Sequence, residues 1–227
     1  MSNYALEIEN LYFSYEDENI LEDLSMKIEE GKFALIIGEN GAGKTTLIRL
    51  ILNQLKKDSG SIKIFSDPIE KSNHYQDLAY ISQASVASFK LFPTNVKEVI
   101  ENHLKFLKKS YDIDKLLEDF DLIKQKNHAL SDLSGGQIQR LSLILAIIKD
   151  PKILILDEPT AAIDMKFSKD FYEHLKNLSK KGKTILMISH DYKLASIFSD
   201  EIFHLSDKKI RKIDRARLRE GLGDFYV

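Results

Sequence analysis

The chain has 227 residues, with 33 Lys or Arg against 35 Asp or Glu, and this near balance (formal net charge -2) excludes the basic footprint of a nucleic-acid binder. It contains no cysteine, which removes disulfides, thiolate chemistry and any Cys-based zinc site and suits a reducing cytoplasm. Residues Met1–Asn10 lack a basic region followed by an apolar block, so no secretory leader is expected; the longest strongly apolar stretch, Leu141–Ile148, is far short of the ~20 residues that cross a membrane, so any membrane role needs another chain to span it.

Tyr4–Phe13 carries apolar side chains mostly at alternate positions and reads as an early strand with a break near Asn10. Asp17-Glu18-Asn19 reads as a turn, after which Leu24–Ile28 alternates again. Phe33–Ile37 is a continuous apolar run, the mark of a strand buried on both faces, and it ends at Gly38. From Thr45 the period changes: Leu47, Leu50, Ile51 and Leu55 fit one helical face, closing near Ser59-Gly60. Ser61–Phe65 and Leu78–Ser82 read as short strands. From about Gln83 to Asp150 the spacing is helical, over Val96–Lys108, Ile113–Ile123 and Ile138–Lys149, the last stopped by Pro151. Two further buried-strand runs, Ile153–Leu156 and Thr184–Ile188, flank a helix over Ser168–Leu178. Ile202–Leu205 and Lys209–Ile213 suggest a hairpin about Ser206-Asp207, followed by a short basic helix. Alternating strands and helices imply a mostly parallel sheet covered on both faces, interrupted by a helical lobe.

Gly38-Glu39-Asn40-Gly41-Ala42-Gly43-Lys44-Thr45, followed by Thr46, matches the phosphate-loop pattern G-x-x-x-x-G-K-[ST] in full, with a buried strand before it and a helix after it. Glycines let backbone N–H groups turn inward around phosphates, and the helix start adds partial positive charge. Lys44 places a cation on the β/γ phosphates of a nucleotide, and Thr45 offers a hydroxyl to Mg²⁺. A glycine-rich turn that binds nothing is the bland alternative, and the strand–loop–helix setting argues against it. Asp157-Glu158 follows the strand Ile153–Leu156, where ligands of open α/β sheets sit. There Asp157 would face Mg²⁺, and Glu158 would orient and deprotonate an attacking water. Alone, the pair would read as a solvated acidic turn; beside a phosphate loop it reads as catalytic.

Leu133-Ser134-Gly135-Gly136-Gln137 begins a second helix that can bind an anion, about 90 residues after Lys44. With this pentapeptide the sequence resembles the ABC ATPase family, from Leu6 to about Ile213. The resemblance implies a P-loop NTPase core with an N-terminal antiparallel β-subdomain (residues 1–82 and 151–227) and a helical signature subdomain (83–150) in a single α/β domain. It implies that Ser134, Gly135, Gly136 and Gln137 close on ATP held by a second copy, in a head-to-tail dimer with two Mg·ATP between the subunits. It assigns Tyr15 to stacking on adenine, Gln83 to Mg²⁺ and water, Asp164 to a loop crossing the dimer interface, and His190 to the γ-phosphate. The blander readings are a surface tyrosine, a polar strand end, a helix cap and a solvated histidine. The chain departs from the family pattern at Ala161-Ala162 and Leu145-Ala146-Ile147.

The implied activity is ATP hydrolysis driving a separate integral membrane permease from the cytoplasmic face, with an importer's solute-binding protein as a further partner. Phe92-Pro93-Thr94-Asn95-Val96 and Ser189-His190-Asp191 look similar to ATPases of zinc/manganese-type uptake systems, which makes a metal ion the expected cargo. Two alternatives stay open: a soluble ABC ATPase serving a cytoplasmic assembly such as iron–sulfur cluster building, and a nucleotide-gated module without turnover.

Overall fold

A computed structural model describes residues 3–71, 74–82, 89, 91–159, 165–189 and 192–214. Among the described residues, ten strands form two sheets. The first is antiparallel, in the order β2 (Glu18–Glu29), β1 (Tyr4–Tyr15), β4 (Ser59–Ile64), β5 (Asp67–Pro68). The second runs β10 (Lys209–Ile213), β9 (Glu201–Ser206), β3 (Phe33–Ile37), β8 (Thr184–Ile188), β7 (Ile153–Asp157), β6 (Leu78–Ser82). In it β9, β3, β8, β7 and β6 are parallel, and β10 returns antiparallel on β9 through the expected hairpin.

All residues of β3, β7 and β8 are buried, as their uninterrupted apolar runs require of strands covered on two faces. Alternate side chains serve two cores. Phe33, Leu35 and Ile37 join the helices α2 (Val96–Leu107), α3 (Ile113–Asp119), α4 (Gly135–Lys149) and α5 (Met165–Lys180) on one face. Ala34 and Ile36 face α1 (Lys44–Ile51) and the antiparallel sheet on the other. A short helix, α6 (Tyr192–Phe198), leads into β9.

Several boundaries differ from the sequence expectation for identifiable reasons. β1 does not break near Asn10 but continues to Tyr15 with register shifts; Asn10 takes a positive φ of 47° and is held by Ser25 Oγ on its N–H and by Asp23 on its side chain, so a bulge replaces a chain end. α1 stops at Ile51, because Asn53 turns left-handed (φ 54°), and Ser59-Gly60 open β4 rather than close the helix. α3 ends at Asp119. Asp121 turns left-handed (φ 51°) under the Arg140 guanidinium, which donates to its carbonyl and carboxylate, and a separate 3₁₀ turn follows at Ile123–Gln125. α4 begins three residues earlier than its apolar pattern, at Gly135. The basic helix expected after Ile213 lies outside the described residues.

The ends of α2 and α4 are tied by Lys109, whose ammonium donates to the carbonyls of Ile148 (2.9 Å) and Lys149 (3.0 Å) and so satisfies orphan groups at a helix C-terminus. Asp200 anchors the start of β3. Its carboxylate accepts from Phe33 N–H (2.9 Å) and pairs with Lys176 of α5. Burial works to raise the Asp200 carboxyl, but the Lys176 and Phe33 hydrogen bonds outweigh it and hold it below the ordinary range. A carboxyl depressed in the fold contributes stability above its unfolded pKa and loses it as pH falls through the folded one. Asp200→Asn is therefore expected to lower stability by about 1 kcal/mol at pH 7 in urea unfolding, with the gap to the parent chain closing below the ordinary 3.8. An equal gap at pH 7 and pH 3 would show that the charge contributes nothing.

Candidate nucleotide site

The phosphate loop is shaped by two tight approaches. A Cβ on Gly38 would lie 2.3 Å from the Leu205 carbonyl oxygen of β9, so only glycine lets the loop leave β3 beside that strand. Gly43, at φ 97°, is the residue before α1, and a Cβ there would press on Ile20 Cγ2 at 3.0 Å and Leu21 Cδ2 at 3.1 Å. The same contact places the loop against the start of β2. Tyr15 pairs with Glu18 across this hairpin, is 40% exposed and meets Phe13 edge-on at 4.8 Å. Asn40 and Gly41 are exposed, and Gly41 also has positive φ (83°).

The start of α1 carries no side-chain cap, in contrast to the capped starts of α2 and α4. The N–H groups of Lys44, Thr45 and Thr46 in its first turn are therefore left for an external anion. Lys44 itself is buried, its ammonium donating to the carbonyls of Gly38 (2.8 Å) and Glu39 (2.6 Å). Burial pushes this ammonium below its ordinary pKa, while the charges of Glu158, Asp157 and Glu39 pull it back.

The carboxylates arrive from β7. Thr45 Oγ1 donates to Asp157 Oδ2 at 3.3 Å, joining the loop helix to the strand end. Tyr80 OH, from β6, donates to the same oxygen at 3.4 Å; strand alternation alone treats Tyr80 as half-core and gives no sign of this contact across 77 positions. Glu158 leaves the strand in a left-handed conformation (φ 52°) with its N–H on the Ile188 carbonyl of β8 (3.0 Å). That backbone costs about 1 kcal/mol, and such outliers gather at functional sites. Burial raises the Asp157 carboxyl above its ordinary range, and the adjacent Glu158 charge adds to the rise, against Thr45, Tyr80 and Lys44. The oxygen-only donors Thr45 and Asp157, beside an open anion cradle, fit a hard cation such as Mg²⁺.

The turn Ser134–Gln137 is a reciprocal capping box. Ser134 Oγ accepts from Gln137 N–H (3.2 Å), and Gln137 Oε1 accepts from Ser134 N–H (2.8 Å). This bond uses the Ser134 oxygen as acceptor and leaves its proton to donate, with the N–H groups of Gly135 and Gly136 beside it. The turn is built within α4, whose buried side chains share one core with α2 and β6, whereas those of α1 belong to the other. Gln83, Asp164 and His190 lie outside the described residues.

A family model described as ABC transporter matches residues 21–161. The chain is 33% identical over 218 residues to the zinc uptake system ATP-binding protein ZurA of Listeria innocua, covering 92% of this chain and 85% of that protein. It is 31% identical to the spermidine/putrescine import ATP-binding protein PotA of Mycoplasma mycoides, covering 94% of this chain and 62% of that one. Among solved structures, cbiO1 of Clostridium perfringens, part of the ABC transporter complex cbiONQ, superposes with a TM-score of 0.81 at 25% identity, over 96% of this chain and 91% of that one. A dimeric post-hydrolysis state of the ATP-binding cassette MJ0796, bound to ADP and Pi, gives a TM-score of 0.77 at 25% identity, over 92% and 98%.

A carboxyl whose pKa is raised in the fold costs stability as pH rises through that value, and the cost is absent below the unfolded pKa. Asp157→Asn is therefore expected to melt about 2–4 °C higher than the parent chain at pH 7.5 without nucleotide or metal, corresponding to roughly 1 kcal/mol. The difference should vanish near pH 4. A lower melting temperature for the variant at pH 7.5 would contradict the burial cost assigned to this carboxylate.

Proposed function

This chain belongs to the ABC transporter family and is an ATP-hydrolysing subunit of that kind; we propose that two copies close head to tail on two Mg·ATP and drive a separate membrane permease that imports a metal cation. The observation that carries the dimer is the pair of helix starts in one chain: α1 with an uncapped first turn in the phosphate loop, and α4 with a Ser134 proton and two glycine N–H groups still to spend. Each suits a phosphate, and they lie on different faces of the chain's architecture, so a partner's α4 completes the site over the loop.

In this reading the N–H groups of the Gly38–Thr46 loop and the Lys44 ammonium hold the β- and γ-phosphates, and Tyr15 stacks on the adenine. Thr45, Asp157 and Gln83 hold Mg²⁺, which supplies charge neutralisation on the phosphate oxygens when bound. The partner copy's signature turn donates to the γ-phosphate through its serine hydroxyl and glycine N–H. Water attacks phosphorus in line, the bond to the β-phosphate oxygen breaks with its electron pair leaving on ADP, and the water proton passes to the Glu158 carboxylate. His190 orients the γ-phosphate, and Asp164 contacts the other copy. Catalysis is mostly positioning and electrostatics; hydrolysis severs the γ-phosphate from ADP, and its release takes away the group that bridges the two copies.

Among the described residues no helix is long and apolar enough to cross a membrane. We place the permease on another chain and this one on its cytoplasmic face by analogy with cbiO1, part of the cbiONQ transporter complex. Leu91 (83% exposed) and Phe92 (62% exposed), at the entrance to the helical lobe, suit contact with such a partner. The metal cargo rests on the zinc-uptake relative and on the Phe92–Val96 segment; a solute-binding protein would deliver it. A polyamine cargo is the second reading, favoured by the PotA likeness over nearly the whole chain. Transport of zinc against spermidine in vesicles holding the cognate permease separates them.

Glu158→Gln keeps the shape of the site and removes the base. It is expected to bind Mg·ATP normally, to lose on the order of 10²- to 10⁴-fold in phosphate release, and to accumulate as dimers in sizing chromatography. Turnover near the parent rate would overturn the assignment of Glu158.

A further inference from the structure

We propose that Tyr80 is a positioning residue for the reaction, its phenol O–H fixing the Asp157 carboxylate in the orientation that receives Mg²⁺. This rests on the reading of Asp157 given above. β6 and β7 run parallel, with Tyr80 beside Ile155 and Ser82 beside Asp157. Residues two apart share a face, so all four side chains lie on the face that packs toward α1. Tyr80 is the one long enough to reach diagonally along this face, and its hydroxyl meets Asp157 Oδ2 at 3.4 Å while Thr45 meets the same oxygen at 3.3 Å. Hydroxyls from two elements therefore hold one carboxylate oxygen, and the Ser82 side chain hydrogen-bonds the same phenol.

A ring that only filled this face would serve as well without an oxygen, since a buried hydroxyl costs free energy unless it finds a partner. The phenol remains a donor at any working pH, because burial foremost, and then the Asp157 charge, push it up to about 12. Groups that orient ligating carboxylates tune metal affinity without touching the metal.

The test is Mg²⁺-dependent binding of a fluorescent, non-hydrolysable ATP analogue to the full chain. Tyr80→Phe is expected to raise the Mg²⁺ concentration for half-maximal binding about tenfold, to leave binding in EDTA unchanged, and to raise the KM for Mg²⁺ more than it lowers kcat at saturating Mg²⁺. Tyr111→Phe, which alters a 41% exposed tyrosine beside Ala146 and Ile147, away from the cavity that Tyr80 lines, should change none of these. A Tyr80→Phe midpoint within about twofold of the parent, or an equal loss of binding in EDTA, overturns the proposal while Asp157→Asn still shifts the midpoint. If Asp157→Asn itself leaves the Mg²⁺ midpoint unmoved, the reading of Asp157 fails, and the role of Tyr80 with it.

Discussion

The ligand end of the sheet is governed by a charge conflict. Asp157 and Glu158 are adjacent carboxylates at the end of a fully buried strand, and the Lys44 ammonium beside them is bonded to two loop carbonyls. The α1 start attracts a polyphosphate, and the carboxylates repel one. A divalent cation on Thr45 and Asp157 would reconcile the two demands, and in the proposed reading nucleotide and metal bind as a unit. The fold sustains the conflict because the strands carrying it are locked elsewhere: β3 by Asp200 and β7 between β6 and β8.

The second cradle answers a different need. A capping box normally finishes a helix start and ends its interest as a ligand site. At Ser134 the cap is arranged so that the serine accepts and keeps a proton in hand. The helix that follows has buried side chains around most of its circumference and is tied at its far end by Lys109, so the turn is presented by a rigid element. Rigid presentation suits a surface proposed to meet the phosphate of another copy, since every ordered side chain costs entropy on closing.

What the sequence makes legible is what is local. The loop Gly38–Thr45, the acids at the end of β7 and the Ser134–Gln137 turn are each read within ten residues, and the buried runs Phe33–Ile37, Ile153–Leu156 and Thr184–Ile188 are strands. Periodicity misses breaks that long-range contacts impose, as at Asp121, whose left-handed turn is held by Arg140 19 positions away. It misses the bulge at Asn10, which looks like a chain break because a bulge and a break interrupt alternation alike. It gives no hint of Tyr80 on Asp157, because alternation predicts the face of a side chain and not how far along that face it reaches. Gln83, Asp164 and His190 rest on the family resemblance.

The central claim is that the phosphate loop of one copy and the signature turn of another share one nucleotide. The absence of native cysteine makes disulfide trapping a direct measurement: a chain carrying Asn40→Cys and Ser134→Cys is oxidised with and without Mg·ATP and sized under denaturing conditions. Covalent dimers should form with Mg·ATP and be absent when Lys44→Ala is added. Bonds closed only within single chains, or dimers indifferent to nucleotide, would contradict it.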